Sequence, residues 1–248
     1  MTARVLVRWS RPVAPVSSQR LLTATELTRL AAFRRDSDRT LFRSAHVLAR
    51  LVVAELTGSA ASGVVLTQRC TTCGGPHGRP YVEPAALSDP AAPPHVSWSH
   101  TADLVVAAAT CVGPVGVDAE SVSAIARAGV DRIALAEAER AQLESAEDPD
   151  RWRAIWWARK ESLLKATGDG LTLPMSRVVV SPPNQAARLQ SWPRAEPPYS
   201  RMADLDLTPD HAACLTILTP ADRTPADLVP DVRQLDLTST YLADTPLI

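Results

Sequence analysis

Four short segments of this chain hold the side chains that could do chemistry. The first is Gly116-Val-Asp-Ala-Glu120. On a strand, residues two apart share a face, so Asp118 and Glu120 stand side by side, roughly 7 Å apart along the strand. Two like charges so placed are unfavourable unless a cation lies between them. Oxygen-only ligands select a hard ion, Mg²⁺ first and Mn²⁺ next. The same pair also fits two solvated carboxylates on an edge strand. The second segment is Trp156-Trp-Ala-Arg-Lys-Glu-Ser-Leu-Leu-Lys165, where Glu161 and Lys165 are four apart and share a helix face with Trp157. As an isolated surface pair they would contribute only about 0.3–0.5 kcal/mol. The third is Ser97-Trp-Ser-His100, at a strand end, where hydroxyl, imidazole and backbone N–H could bind phosphate. The fourth is Gly78-Arg-Pro-Tyr81, which sets Arg79 in a rigid turn.

A further set lies on a helix. Arg39, Arg43, His46 and Arg50 recur at spacings of four, three and four. Two readings fit that stripe: a solvated face, or a dock for phosphates, which the planar guanidinium suits. The inventory is therefore cations, three carboxylates and no activated nucleophile. There is no GxSxG, no P-loop and no GxGxxG. Such a set suits transfer of a phosphate-linked group in which the attacking hydroxyl belongs to the substrate.

The elements that must position these groups follow from pattern and punctuation. Residues 4–9 alternate and predict a strand. Thr23-Ala-Thr-Glu26 reads as a capping box opening a helix over 24–33. Asp36 to about Glu55 predicts a second helix, with Leu41, Ala45, Leu48, Val52 and Leu56 as its core stripe and Gly58 past its end. Strands are expected at 79–83, 95–98, 104–112 and 115–120, then a charged helical stretch over 125–146. Asp148 and Pro149 should cap a helix ending at Gly168. Four more strands are expected at 178–181, 187–192, 203–207 and 212–218. The chain from Pro220 reads as an irregular surface tail. This order predicts an α+β fold with two comparable halves, residues 1–112 and 113–220, and a Pro-rich tail over 221–248.

Composition removes other classes. Of 248 residues 26 are basic, yet only Lys160 and Lys165 are lysines, and the net charge is −1. That balance argues against a nucleic-acid binder. No 18-residue apolar run or signal-peptide h-region is present, so the expectation is a cytoplasmic protein with no membrane partner. Cys70-Thr-Thr-Cys73 supplies half of a zinc-site spacing with no second half. A turn with two free thiols fits it better, and a zinc-knuckle nucleic-acid protein lacks both the remaining ligands and the basic surface.

Taken together, GRP at 78–80, SWSH at 97–100, GVDAE at 116–120 and WWARKESLLKATGDGLTLP at 156–174 resemble the 4′-phosphopantetheinyl transferases of the surfactin-synthetase-activating (Sfp) type. The helix FRRDSDRTLFRSAHVLAR is similar too, so the resemblance spans roughly 25–218. It implies two pseudo-symmetric α+β halves with the active-site cleft between them. It implies transfer of the 4′-phosphopantetheine arm of coenzyme A to a serine of an apo acyl or peptidyl carrier protein, releasing adenosine 3′,5′-bisphosphate. Relatives serve fatty-acid, polyketide and nonribosomal-peptide systems, antibiotic biosynthesis among them. Carried over, Asp118, Glu120 and Glu161 would hold Mg²⁺, and Glu161, directly or through a metal-bound water, would take the serine proton. Lys165 would neutralise the leaving bisphosphate. Arg39, Arg79, Ser99 and His100 would contact the coenzyme's phosphates, with Arg43 added from the helix stripe. Two complementary halves in one chain could build the cleft as a monomer. A non-catalytic module of the same fold, binding coenzyme A or a carrier protein, is the alternative. The stretch 125–139 departs from the family in lacking aromatics, and Lys160 receives no role.

Overall fold

In the computed structural model, residues 4–13, 16–68, 74–75, 78–84, 87, 93–219 and 229–238 are described. Cys70 and Cys73, with the zinc reading they raised, lie outside them. The chain forms two compact units: residues 1–113 with 228–248, and residues 114–227. Both mix helix and sheet, so the α+β class holds.

In the first unit, the strands β1 (Val5–Ser10), β4 (His95–His100), β5 (Val105–Thr110) and β11 (Asp231–Gln234) form a sheet in the order β11-β1-β5-β4. The near-continuous apolar run of β5 lies between β1 and β4 and is buried along its whole length, as a central strand requires. Helix α2 (Asp36–Thr57) packs on this sheet. Its stripe meets the expectation: Ala45, Leu48 and Val52 are buried, and Leu41 and Leu56 pack at the margin. Gly58 ends the helix at φ 70°, a left-handed conformation that glycine adopts without a Cβ clash. Helix α1 (Ala24–Ala32) opens with the capping box: Glu26 N–H donates to Thr23 Oγ1 at 3.3 Å and Thr23 N–H to Glu26 Oε2 at 2.7 Å. Short strands β2 (Leu66–Gln68) and β3 (Pro80–Val82) form a separate hairpin.

The expected irregular tail contains strand β11, which pairs in parallel with β1. Its four residues hold one apolar side chain, too little alternation to announce a strand. What secures it is Arg8, fully buried on β1. The Arg8 guanidinium donates to both carboxylate oxygens of Glu55 on α2, to Asp231 O at 2.6 Å and to Asp231 Oδ2 at 3.1 Å. One buried cation thus ties helix, central strand and edge strand together.

The second unit is built on strands β6 (Val115–Ser121), β9 (Ser200–Leu205) and β10 (His211–Leu218), in the order β6-β10-β9. Helix α6 (Pro149–Thr167) lies across β6 and β10. Asp148 caps it, its side chain accepting from Arg151 N–H at 2.9 Å, and Gly168 closes it at φ 81°. The stretch expected as one helical segment is three: α3 (Val122–Ala128), α4 (Asp131–Ala134) and α5 (Glu137–Leu143). Gly129, at φ 63°, stops the first, and Ala136 turns extended before the third. The hairpin β7 (Val179–Val180) and β8 (Leu189–Ser191) completes the unit. Trp156, Leu163, Leu164, Ile125 and Leu135 are among its core residues.

Candidate active site

The site in the second unit begins with an absence of side chain. A Cβ at Gly116 would stand 1.9 Å from Ser162 O and 2.6 Å from Ala166 N, both backbone atoms of α6. Glycine therefore lets the helix lie directly on the strand. An isolated glycine in a strand pattern marks such a close approach, which was the available signal in the sequence. The consequence is that the α6 face carrying Glu161 and Lys165 meets the β6 face carrying Asp118 and Glu120.

Lys165 Nζ donates to Asp118 Oδ1 at 2.7 Å and to Val117 O at 3.1 Å. Asp118 is buried at 2% exposure, while the Lys165 side chain keeps 29%. Glu120 and Glu161 are half-buried beside them. Burial, then the Asp118 charge, push the Glu120 carboxyl up to about 8, with Lys165 opposing and Glu161 adding to the rise. Burial and Asp118 likewise raise Glu161, again against Lys165. Three carboxylates thus face one ammonium in a partly dehydrated place, where burial first and the Asp118 charge next make Glu120 and Glu161 harder to ionise. A hard cation would remove that conflict, and the all-oxygen donor set fits one in chemistry. It is not a preformed cage: among the described residues no three acidic, imidazole or thiol groups converge at ligand distances. Asp118 engages Lys165 in this arrangement.

Two residues next to Glu161 grip the helix from other sides. Arg159, fully buried, donates to both carboxylate oxygens of Asp204 on β9, to Ser181 O at 2.7 Å, to Pro182 O at 3.0 Å and to Gln185 O at 2.8 Å. Lys160, also fully buried, pairs with Glu139 of α5 and donates to Ala134 O at 2.7 Å and Met175 O at 3.3 Å. Glu139, 1% exposed, also accepts from Ala136 N–H at 2.7 Å and Val180 N–H at 3.2 Å. Sequence spacing assigned neither Lys160 nor Glu139 a role. Their separation of 21 residues gives no local signal.

The expected phosphate contacts lie in the first unit. The α2 stripe is not a continuous phosphate-facing row. His46 Nδ1 donates to Glu26 Oε1 at 2.6 Å, and Arg50 donates to Glu26 at 2.6 and 3.1 Å, all three residues being buried. Burial alone would raise Glu26; the His46 and Arg50 hydrogen bonds overcome it and hold the carboxyl at about 2. Burial also depresses His46, against the pull of Glu26 and with Arg50 adding to the fall. Two of the four cations therefore serve the α1–α2 contact. Arg43 is buried, and Arg39, at the helix start, bridges Asp36. Arg79 is half-buried beside the β2–β3 hairpin, where burial lowers it; His95 is depressed by its own burial first and by the Arg79 charge next. On the edge strand β4, Ser99 is buried and His100 exposed, consistent with opposite faces. Among the described residues no helix is long and apolar enough to cross a membrane.

Comparison with known proteins finds similarity within the second unit. Residues 114–218 match the model of the 4′-phosphopantetheinyl transferase superfamily, a span that holds the whole Asp118–Glu120–Glu161–Lys165 cluster but under half of the chain. Two solved structures are similar over a comparable share. One is the holo-[acyl-carrier-protein] synthase of Thermotoga maritima, at 22% identity and TM-score 0.36, covering 44% of this chain and 63% of that one. The other is a holo-(acyl-carrier-protein) synthase from Bacillus anthracis str. Ames in complex with CoA (3′,5′-ADP), at 18% identity and TM-score 0.37, covering 43% and 95%. This chain thus spans less than two thirds of the first structure's length. No curated protein matches.

Proposed function

We propose that this protein transfers the 4′-phosphopantetheine arm of coenzyme A to a serine hydroxyl of an apo acyl or peptidyl carrier protein, as a transferase of the surfactin-synthetase-activating type. The observation that carries this reading is the carboxylate and lysine cluster on β6 and α6, lying inside the span that matches the superfamily model. In the reaction, the carrier serine oxygen attacks the phosphorus of the pantetheine phosphate. The bond from that phosphorus to the bridging pyrophosphate oxygen breaks, and adenosine 3′,5′-bisphosphate leaves. Glu161 accepts the serine proton. Lys165, anchored to Asp118 and partly open to solvent, faces the charge that grows on the leaving bisphosphate.

Asp118, Glu120 and Glu161 would hold Mg²⁺, which when bound supplies charge neutralisation on the pyrophosphate. Arg39, Arg79, Ser99 and His100 are assigned to the coenzyme's phosphates, with Arg43 beside them. On this reading the enzyme is a cytoplasmic monomer serving polyketide or nonribosomal-peptide carriers. Incubation with coenzyme A, Mg²⁺ and a panel of apo acyl and peptidyl carriers, followed by intact mass, tests it. A carrier that gains the arm supports the proposal. Coenzyme A binding with no gain on any carrier would favour the non-catalytic module.

A further inference from the structure

Three consecutive residues of α6 point in three directions, because each step turns the helix by about 100°. Arg159 faces β9 and the 181–188 loop, Lys160 faces α5, and Glu161 faces β6. A helix held on one side can still roll about its axis. Held on two sides, it cannot. A roll would carry Glu161 and Lys165 past the carboxylates of β6 and part the 2.7 Å contact of Lys165 with Asp118. Burial makes the second grip expensive to maintain. The Lys160 ammonium is fully buried and paired with the equally buried Glu139. An apolar side chain would fill that place at lower cost. The pair nonetheless joins α6 to Ala134, Met175 and, through Glu139, to Ala136 and Val180.

We infer that Lys160 is a positioning residue: its buried ion pair with Glu139 fixes the rotation of α6 that sets Glu161 and Lys165 against Asp118 and Glu120. That this placement serves group transfer rests on the function proposed above; the placement itself does not. Lys160 touches none of the reacting groups, so its effect passes through its neighbour on the helix.

The test removes the charge pair without stranding a buried ion. Lys160→Met with Glu139→Gln leaves a carbonyl to accept one of the N–H groups that Glu139 now satisfies. Ala134 O and Met175 O lose the Lys160 donor. Two readouts are taken from this protein: its crystal structure, and kcat and KM for coenzyme A well below the melting temperature. Positioning predicts that Lys165 Nζ leaves Asp118. It also predicts a kcat lower by about a hundredfold, as an ångström of misplacement costs, with KM within about threefold of the parent. A structure that keeps the Lys165–Asp118 contact, with parental kcat, would overturn the inference even if the melting temperature fell. Should the double variant not fold, Lys160→Gln removes the charge and shortens the arm. Loss of the contact is expected there too, and parental kcat with the contact intact overturns. A parent that moves no phosphopantetheine would defeat the proposed function, while the crystallographic contact would still decide the positioning.

Discussion

Replacing Gly116 by alanine adds one methyl group at the point where strand and helix touch. The glycine has no left-handed backbone, so alanine brings no conformational strain of its own. The whole effect comes from the 1.9 Å and 2.6 Å approaches to Ser162 O and Ala166 N. A carbon and a carbonyl oxygen settle near about 3.3 Å at closest, so α6 must retreat by more than an ångström. The obstacles are backbone atoms, which no rotamer change removes. Overpacking of this kind costs about 1–3 kcal/mol of stability. The larger effect should fall on activity, since misplacing reacting groups by about 1 Å can cost a hundredfold in rate. Transfer to an apo carrier, followed by intact mass and read beside a thermal melt, measures both. Parental turnover and an unchanged melting temperature in the Gly116→Ala protein would refute the close-approach argument, because no path around the helix backbone exists.

Glu161→Gln should abolish transfer while leaving the fold intact, since Glu161 is half-buried and its neutral isostere relieves repulsion with Asp118; near-parental rate would remove it from the mechanism. Lys165→Arg should lower turnover, because a compact ammonium can point at one phosphate oxygen in a crowded site where a planar guanidinium spreads its charge over a wider fork, and unchanged turnover would make that lysine a compositional accident. Stability should fall on acidification. His46 is depressed below its ordinary 6.5, so the folded first unit resists a proton that the unfolded chain takes up below that pH. Glu26, held at about 2 against an ordinary 4.5, contributes stability fully present above pH 4.5 and lost as pH falls toward 2, worth about 3 kcal/mol in all. Urea melts between pH 7 and 3 should show this slope flattened in Glu26→Gln, and an identical slope in both proteins would contradict it.

What could be read from the chain alone was what local pattern encodes. The capping box at Thr23 and Glu26, the stop at Gly58, and the Asp148–Pro149 start of α6 announce themselves within a few residues. The alternation on β6 also placed Asp118 and Glu120 on one face. Charges were harder to read. Glu26 looks like a cap and is one, but it also neutralises Arg50 from 24 residues away, which takes His46 and Arg50 out of the supposed phosphate row. Lys160 looks like a surface lysine and is fully buried on Glu139. Arg8 gives no hint that it recruits Asp231 from 223 residues away and so makes a strand of a tail. Each miss is a buried ion pair across the fold, and a pairing at long separation leaves no periodicity to detect.

The central claim is that this chain moves the phosphopantetheine arm. Incubation with coenzyme A, Mg²⁺ and apo carrier proteins, followed by intact mass of the carrier, tests it most directly. The account predicts one arm added per carrier serine by the parent protein and none by Glu161→Gln. Unmodified carriers across an acyl and peptidyl panel would contradict it.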